Sequence, residues 1–157
     1  MPLTPAQKVT LKTNIQATPA LNALYVAGDL TGLADALNAE AAPPFTVWKS
    51  NVTITETGKK FVGTEWAGMT TANHSRLQTV AQWLPGGYNA GLADIRAMFN
   101  DIWSGAGGTL TRPALLALWK RFATVTEKMF ATGTGSDATP AVLVFEGPVD
   151  YTELVGL

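Results

Sequence analysis

The stretch that decides the fold is residues 111–131, which read TRPALLALWKRFATVTEKMFA. Apolar side chains recur here at the spacing of one helix face, which predicts an apolar seam of about five helical turns. Thr111 followed by Pro113 is typical of a helix start, because proline in the first turn sacrifices no hydrogen bond. The seam consists of Leu115, Leu118, Trp119, Phe122, Thr126, Met129 and Phe130. We therefore predict one helix over 111–131, at the centre of a bundle.

Other segments carry helix start signals of the same kind. Thr4-Pro5-Ala6-Gln7 matches a capping box with proline at the first helical position. Thr18-Pro19 and Asp29 begin two further short helices, and Thr70-Thr71 and Asn89 begin two more. Together these signals predict a mainly α fold, a bundle of about five to six helices.

Two segments are more typical of extended structure. Residues 45–54 are rich in β-branched and aromatic side chains, and residues 141–146 begin with a continuous apolar run. They could pair as a small β-ribbon, or one could pair with a neighbouring subunit. The predicted organisation is a helical domain over 1–131 with a strand-like insertion at about 45–69, followed by an extended C-terminal arm over 132–157.

The composition is apolar for a protein of this size. Of 157 residues, 46% are hydrophobic and only 15% are charged, with a formal net charge of −1. Ordinary globular domains carry about a quarter charged residues, and isolated monomers usually keep more charge on their surface. The chain is too apolar for intrinsic disorder. The low charge is therefore an indication of assembly.

The residue inventory excludes several kinds of chemistry. The chain has no cysteine and one histidine, His74. This excludes disulfides, thiolate metal sites, cysteine nucleophiles and multi-histidine metal centres. The N-terminal residues lack the pattern of a signal peptide, and no apolar run approaches the length that spans a membrane. We therefore expect the protein to be made in the cytoplasm and not to associate with a membrane.

The remaining motifs each have a structural explanation. The segment Ser104-Gly-Ala-Gly-Gly108 has no following lysine and joins two predicted helices, so it is interpreted as a hinge and not as a phosphate cradle. His74 lies in a first helical turn, as a solvated or cap-bonded side chain. Asp94 and Asp101 share a polar helix face beside Arg96, and we interpret them as solvated carboxylates. We predict no catalytic, cofactor-binding or metal-binding residues, and no enzymatic activity.

The aromatic and apolar residues outside the predicted helices are candidates for contacts with partners. Trp48 and Trp66 lie in the irregular middle of the chain and could equally belong to a core or an interface. Basic residues occur only as pairs, so contact with DNA is expected to be incidental at most. The candidate interface residues are Phe45, Trp48, Trp66, Val142, Val144, Phe145 and Tyr151.

Several stretches together carry a resemblance to a known group of proteins. They are Leu3-Thr-Pro-Ala-Gln7, Phe45-Thr-Val-Trp48, Leu77-Gln78, Ser104-Gly-Ala-Gly-Gly108, Ala117-Leu-Trp-Lys-Arg121, Phe130-Ala-Thr-Gly-Thr-Gly135 and Phe145-Glu-Gly-Pro148. The set resembles a family of small, mostly uncharacterised virion structural proteins of tailed bacteriophages and prophages. The resemblance covers nearly the whole chain and brings no catalytic motif with it. It implies a many-copy virion component that is assembled in the bacterial host cytoplasm.

The resemblance leaves several places in the virion open. The first is a neck (head–tail connector or adaptor) ring subunit that binds portal or tail proteins, twelvefold if the connectors here are twelvefold rings. Adaptors of this kind are typically small and helical, with an extended arm that could add a strand to a neighbour. The alternatives are a capsid-associated or decoration protein and a tail protein. Outside the structural class, the alternatives are a small phage-encoded enzyme and a regulator that binds a host protein.

Overall fold

The computed structural model describes residues 3–157 and is mainly α-helical with a small antiparallel two-stranded sheet, which confirms the predicted fold class. The first part of the chain forms α1 (Pro5–Ala17), α2 (Pro19–Ala27), α3 (Leu30–Asn38) and strand β1 (Thr46–Trp48). The middle forms α4 (Ile54–Gly58), α5 (Gly63–Ala67), α6 (Thr71–Trp83), α7 (Ala93–Ile102), a 3-10 turn (Gly105–Gly108) and α8 (Thr111–Leu118). The last part forms β2 (Lys120–Phe122), α9 (Val125–Phe130) and α10 (Tyr151–Leu154).

The chain divides into two compact units at boundaries that the sequence did not indicate. The first, here called the N/C unit, combines the residues up to Val47 with Phe122–Leu157. The second, the central unit, is the continuous segment Trp48–Arg121. This division differs from the predicted domains 1–131 and 132–157.

The N/C unit is built on α1, α2, α3 and α9. Thr4 accepts a hydrogen bond from the amide of Gln7, whose side chain bonds back to the amide of Thr4, so the predicted capping box is present. Helix α1 turns Leu11 and Ile15 fully inward, as the one-turn spacing predicts. The core further contains Leu3, Leu21, Leu33, Ala34, Leu37, Phe145, Val149 and Leu154.

The C-terminal segment belongs to this core and is not a separate arm. Phe145, Val149 and Leu154 are each 1% exposed and pack in the same cluster as α1 and α3. The side chain of Asn38 bonds both the amide and the carbonyl of Val149, at 2.9 Å each. Residues 141–146 form only isolated bridges, with Ala141 beside Val47 and Val142 beside Thr132. The prediction of an extended arm over 132–157 is therefore corrected, because burial of Phe145, Val149 and Leu154 binds the segment to its own unit.

The predicted extended segment 45–54 is shorter in the structure. Only Thr46–Trp48 forms a strand, and Val52 adds an isolated bridge to Tyr88. Thr53 and Glu56 form a reciprocal capping box that begins α4, so residue 54 is already helical. The predicted insertion at 45–69 thus contains two short helices, α4 and α5, after the strand β1.

The predicted helix over 111–131 is interrupted. Helix α8 ends at Leu118, because the chain turns so that the carbonyl of Trp119 accepts from the amide of Lys49 at 2.8 Å. Strand β2 follows, and Phe122, predicted for the buried seam, is 54% exposed. Helix α9 then begins separately, with Thr124 and Glu127 as its own reciprocal capping box. The apolar seam is thus shared between two helices.

The central unit has a separate core formed by α6, α7 and α8. Tyr88 organises its polar centre: the Tyr88 hydroxyl lies 2.6 Å from the Thr57 hydroxyl and accepts from the Trp119 indole N–H at 2.9 Å. Buried polar groups require such partners, and these are satisfied within the unit. The core contains Val52, Leu77, Val80, Tyr88, Ala90, Phe99, Ile102, Trp103, Leu115, Leu118 and Trp119.

Candidate interaction sites

The seven residues predicted to contact partners have different environments. Four are exposed: Trp66 by 41%, Val142 by 42%, Val144 by 63% and Tyr151 by 53%. Phe45 and Trp48 are half-buried. Phe145 is a core residue, 1% exposed, whose ring lies 5.6 Å from that of Phe130, which contradicts its prediction as an interface residue. The apolar run 141–145 alternates between core and surface, which its composition alone did not reveal.

Val142 and Val144 are displayed on a segment that is firmly held. The amide and carbonyl of Val142 both bond Thr132, at 2.9 and 2.8 Å, and the amide of Ala141 bonds Thr46 at 2.9 Å. The main-chain groups that strand addition would use are therefore occupied at residues 141 and 142. A partner that covers this part of the N/C unit would contact the two valine side chains.

An aromatic cluster surrounds Trp66 in the central unit. The Trp66 ring stacks with Phe61 at 5.7 Å and meets the edge of His74 at 4.6 Å. Trp103 lies 4.9 Å from Phe61, is 1% exposed, and its indole N–H has no hydrogen-bond partner within residues 3–157. His74, predicted as solvated or cap-bonded, is half-buried by this contact. An apolar cavity of about 200 Å³ adjoins Phe61 and Trp66.

A second feature of the central unit is a cavity that carries two arginines, here called the arginine cavity. Its volume is about 310 Å³. Its lining residues are Trp48, Arg96, Asn100, Thr109, Arg112, Pro113, Leu116 and Trp119. Arg96 lies over the Trp48 ring at 4.1 Å, a distance typical of a cation–π contact. Partial burial lowers the pKa of Arg96, whose guanidinium nevertheless stays charged at neutral pH.

The sequence contained part of the signal for the arginine cavity. Arg96 and Asn100 are four residues apart, so they share one face of α7, and Arg112 lies in the first turn of α8. The sequence does not predict that α7 and α8 lie together around Trp48. That juxtaposition depends on long-range packing of Trp119 and Tyr88, which no local pattern encodes.

Glu65 joins α5 to the beginning of α8. Its carboxylate accepts from the amides of Leu110 and Thr111 at 2.8 Å each and from the Thr109 hydroxyl at 3.1 Å. Desolvation raises the pKa of Glu65, but these hydrogen bonds outweigh it and lower the pKa to about 2. The carboxylate therefore supplies acceptors that the N-terminus of α8 lacks, because Leu110 gives no side-chain cap.

A larger cavity of about 400 Å³ lies between α6 and α7. Trp83 at its rim is 73% exposed, and Arg76 and Asp101 also line it. Asp94, which shares the face of Asp101, is exposed as predicted. The glycine segment 104–108 forms the 3-10 turn between α7 and α8, which agrees with a connecting role.

Metal sites, membrane-spanning helices and known relatives give no indication of this chain's function. In the described part of the chain, no group of three or more His, Asp or Glu side chains could hold a metal ion. Within residues 3–157, no helix combines the length and apolar character needed to cross a bilayer. No family model, no curated protein and no solved structure matches this chain.

Proposed function

We propose that the protein is a non-enzymatic structural subunit of a tailed-bacteriophage virion, in a neck ring that binds portal or tail proteins. The observation that carries the proposal is the display of apolar side chains by a chain with few charges. Val142 and Val144 are exposed by 42% and 63% beside the fully buried Ala141 and Phe145. The sequence resemblance to virion structural proteins gives this display its biological setting.

The physical case concerns the pair of valines. Isolated exposed apolar residues are common on monomers, so a single one carries little weight. Val142 and Val144 are two residues apart and both exposed, while Leu143 between them is half-buried and Ala141 and Phe145 on either side are buried. A neighbour that covered their apolar surface would gain about 25 cal/mol for each Å² removed from water. A fixed backbone also lets a neighbour dock without ordering a loop.

A ring requires each subunit to offer two different, complementary faces. The side containing Val142 and Val144 is one candidate face. Other large exposed side chains supply candidates for the second, and they lie in both units. They are Val26, Trp66, Trp83, Leu92, Leu110, Leu116, Phe122, Tyr151 and Val155.

Complementation of a phage that lacks the gene tests this proposal. The wild-type chain should restore infectious particles, and Val144→Asp should fail to do so while its circular dichroism and unfolding midpoint stay at wild-type values. Val9→Asp is the matched control, because Val9 is 68% exposed but lies with Lys8 and Lys12 around another cavity. Full complementation by a folded Val144→Asp chain would contradict the proposed contact.

The particle made without the gene separates the structural alternatives. A neck subunit predicts filled heads without tails, or heads that lose their DNA. Complete tailed particles with fragile capsids would indicate a decoration protein instead. Normal infectious particles would contradict a required structural role.

A further inference from the structure

We propose that the arginine cavity of the central unit binds a carboxylate side chain on an acidic, partly apolar segment of a partner protein. Arg96 and Arg112 are the donors, and Pro113 and Leu116 supply the apolar contact. The cavity volume of about 310 Å³ accommodates a glutamate or aspartate side chain together with part of a neighbouring residue.

Arg96 is held in place with donors to spare. The Trp48 ring lies 4.1 Å from its guanidinium, and the Nη1 group donates to the carbonyl of Ala90. A guanidinium has five N–H donors, so one bond to Ala90 leaves most of the fork available. A preoriented, partly dehydrated guanidinium loses little entropy when it binds a carboxylate.

Arg112 is fixed from the opposite element. Its Nε donates to the carbonyl of Gly108 at 3.1 Å, and its Nη2 donates to the carbonyl of Gly105 at 3.3 Å. These bonds anchor the side chain to the 3-10 turn and leave further N–H groups unused. Arg96 from α7 and Arg112 from α8 thus line one cavity, and no carboxylate in its lining neutralises either of them.

The positive charge of the cavity has no counter-ion among its own residues. The eight lining residues include no carboxylate, and neither arginine makes an ion pair within residues 3–157. Glu65 bonds the Thr109 hydroxyl of the lining, but its carboxylate also accepts from the amides at the N-terminus of α8. Two partly buried arginines that line one cavity without a carboxylate favour the binding of an incoming anion.

Charge and shape favour a protein carboxylate over a nucleic-acid backbone. The whole chain has a net charge of −1, so it lacks the basic surface that attracts a polyanion. Arg96 covers a face of Trp48, and Trp119 is 1% exposed, so neither offers a free ring for a base to stack on. Leu116, 41% exposed, instead offers an aliphatic contact beside the two arginines. An Arg pair with an apolar wall matches a carboxylate flanked by aliphatic residues.

Side-chain NMR of the full-length chain, observed at the arginine Nε–H groups, tests the inference. The probe is the peptide acetyl-Leu-Glu-Leu-amide, and its matched control is acetyl-Leu-Gln-Leu-amide. We expect saturable shifts of Arg96 and Arg112 with the glutamate peptide and at least about tenfold weaker binding of the glutamine peptide. Equal binding of the two peptides, or the absence of saturable shifts, would overturn the proposal.

Two further arms identify the ligand class and the residues. Tighter binding of inorganic phosphate or of a thymidine decanucleotide than of the glutamate peptide would overturn the assignment to a protein carboxylate. Arg112→Gln and Arg96→Gln should each weaken peptide binding about tenfold, whereas Arg76→Gln, exposed beside Asp101 in another cavity, should leave it unchanged. Arg112→Lys keeps the charge and protects the fold, and it should still weaken binding through loss of the planar fork. Undiminished binding in a folded Arg112→Lys chain would contradict the role of Arg112.

Discussion

At the residue scale, Gly108 is the glycine at which an added side chain would come closest to backbone atoms. It ends the 3-10 turn before α8, and a Cβ there would overlap the carbonyl oxygen and carbon of Trp103. Because the overlap is with backbone, no side-chain rotation relieves it. We expect Gly108→Ala to lower the free energy of unfolding by about 3 kcal/mol, measured by urea denaturation. Gly107→Ala is the control: its Cβ would meet nothing within 4 Å, so no loss is expected.

Glu65 gives the fold a pH-dependent component. Its pKa is lowered to about 2 in the folded chain from an ordinary value of 4.5. A depressed folded-state pKa stabilises the fold above pH 4.5, and this stabilisation is lost as the pH falls toward 2. Glu65→Gln should therefore have a lower thermal midpoint than the wild type at pH 7, by a few degrees, and the difference should shrink below pH 4.5.

The control for this titration is Asp101→Asn, which alters an exposed carboxylate that makes no cap at α8. It should change the thermal midpoint at pH 7 less than Glu65→Gln does. A Glu65→Gln midpoint that stays the same distance below wild type from pH 7 to pH 3 would show that the carboxylate does not act through its charge.

At the element scale, the interruption of the segment 111–131 shows what a local pattern misses. The apolar periodicity continues through Trp119 and Phe122, so it predicts one helix. The break arises from contacts distant in sequence: Trp119 bonds Lys49 through its backbone and Tyr88 through its indole. One local signal was present, because Thr124-Val-Thr-Glu127 matches a capping box and marks a new helix start.

The capping box at Thr124 is therefore a determinant of α9. Its hydroxyl accepts from the amide of Glu127 at 3.2 Å, and Glu127 bonds back to the amide of Thr124 at 3.0 Å. Thr124→Ala should cost about 1 kcal/mol of unfolding free energy. Thr13→Ala is the matched control, since Thr13 is exposed within α1 and alanine favours a helix interior. Equal effects of the two substitutions would contradict a distinct start of α9.

The C-terminal segment illustrates a second limit of the sequence. Its apolar character predicted burial, but a core and an interface bury the same residue types. The structure assigns Phe145, Val149 and Leu154 to the N/C core, while Val142 and Val144 remain on the surface. Residue type therefore identified these apolar side chains but did not separate the exposed ones from the buried ones, and the arginine cavity needed the tertiary arrangement of α7 and α8.

At the scale of the whole molecule, the central unit has the attributes of an independent domain. Trp48–Arg121 is one continuous segment with its own core around Phe99, Trp103 and Leu115. We expect a chain of residues 48–121 to fold alone, with helical circular dichroism and a cooperative thermal transition. Leu115→Ala in this chain should abolish or sharply lower that transition, because Leu115 is fully buried. A fragment without a cooperative transition would contradict the independence of the central unit.

At the same scale, the structure shows where the many apolar residues of this weakly charged chain lie. Part of the apolar content forms buried clusters in both units, and the rest includes, among residues 3–157, twelve large side chains with exposures between 41% and 77%. The latter part underlies the proposed role in assembly. The arginine cavity adds a site of defined charge to an otherwise weakly charged surface. We propose these exposed side chains and the arginine cavity as the apolar and electrostatic contacts to partners.

The proposed virion role is tested most directly by quantitative mass spectrometry of phage particles purified from a bacterial strain that carries the gene. Labelled peptides of this protein and of the portal protein give the copy number per particle. The proposed neck ring predicts a stoichiometric component in about the same number of copies as the portal, in the tens at most. Hundreds of copies would indicate a capsid role instead, and absence of the protein from virions would contradict every virion structural role.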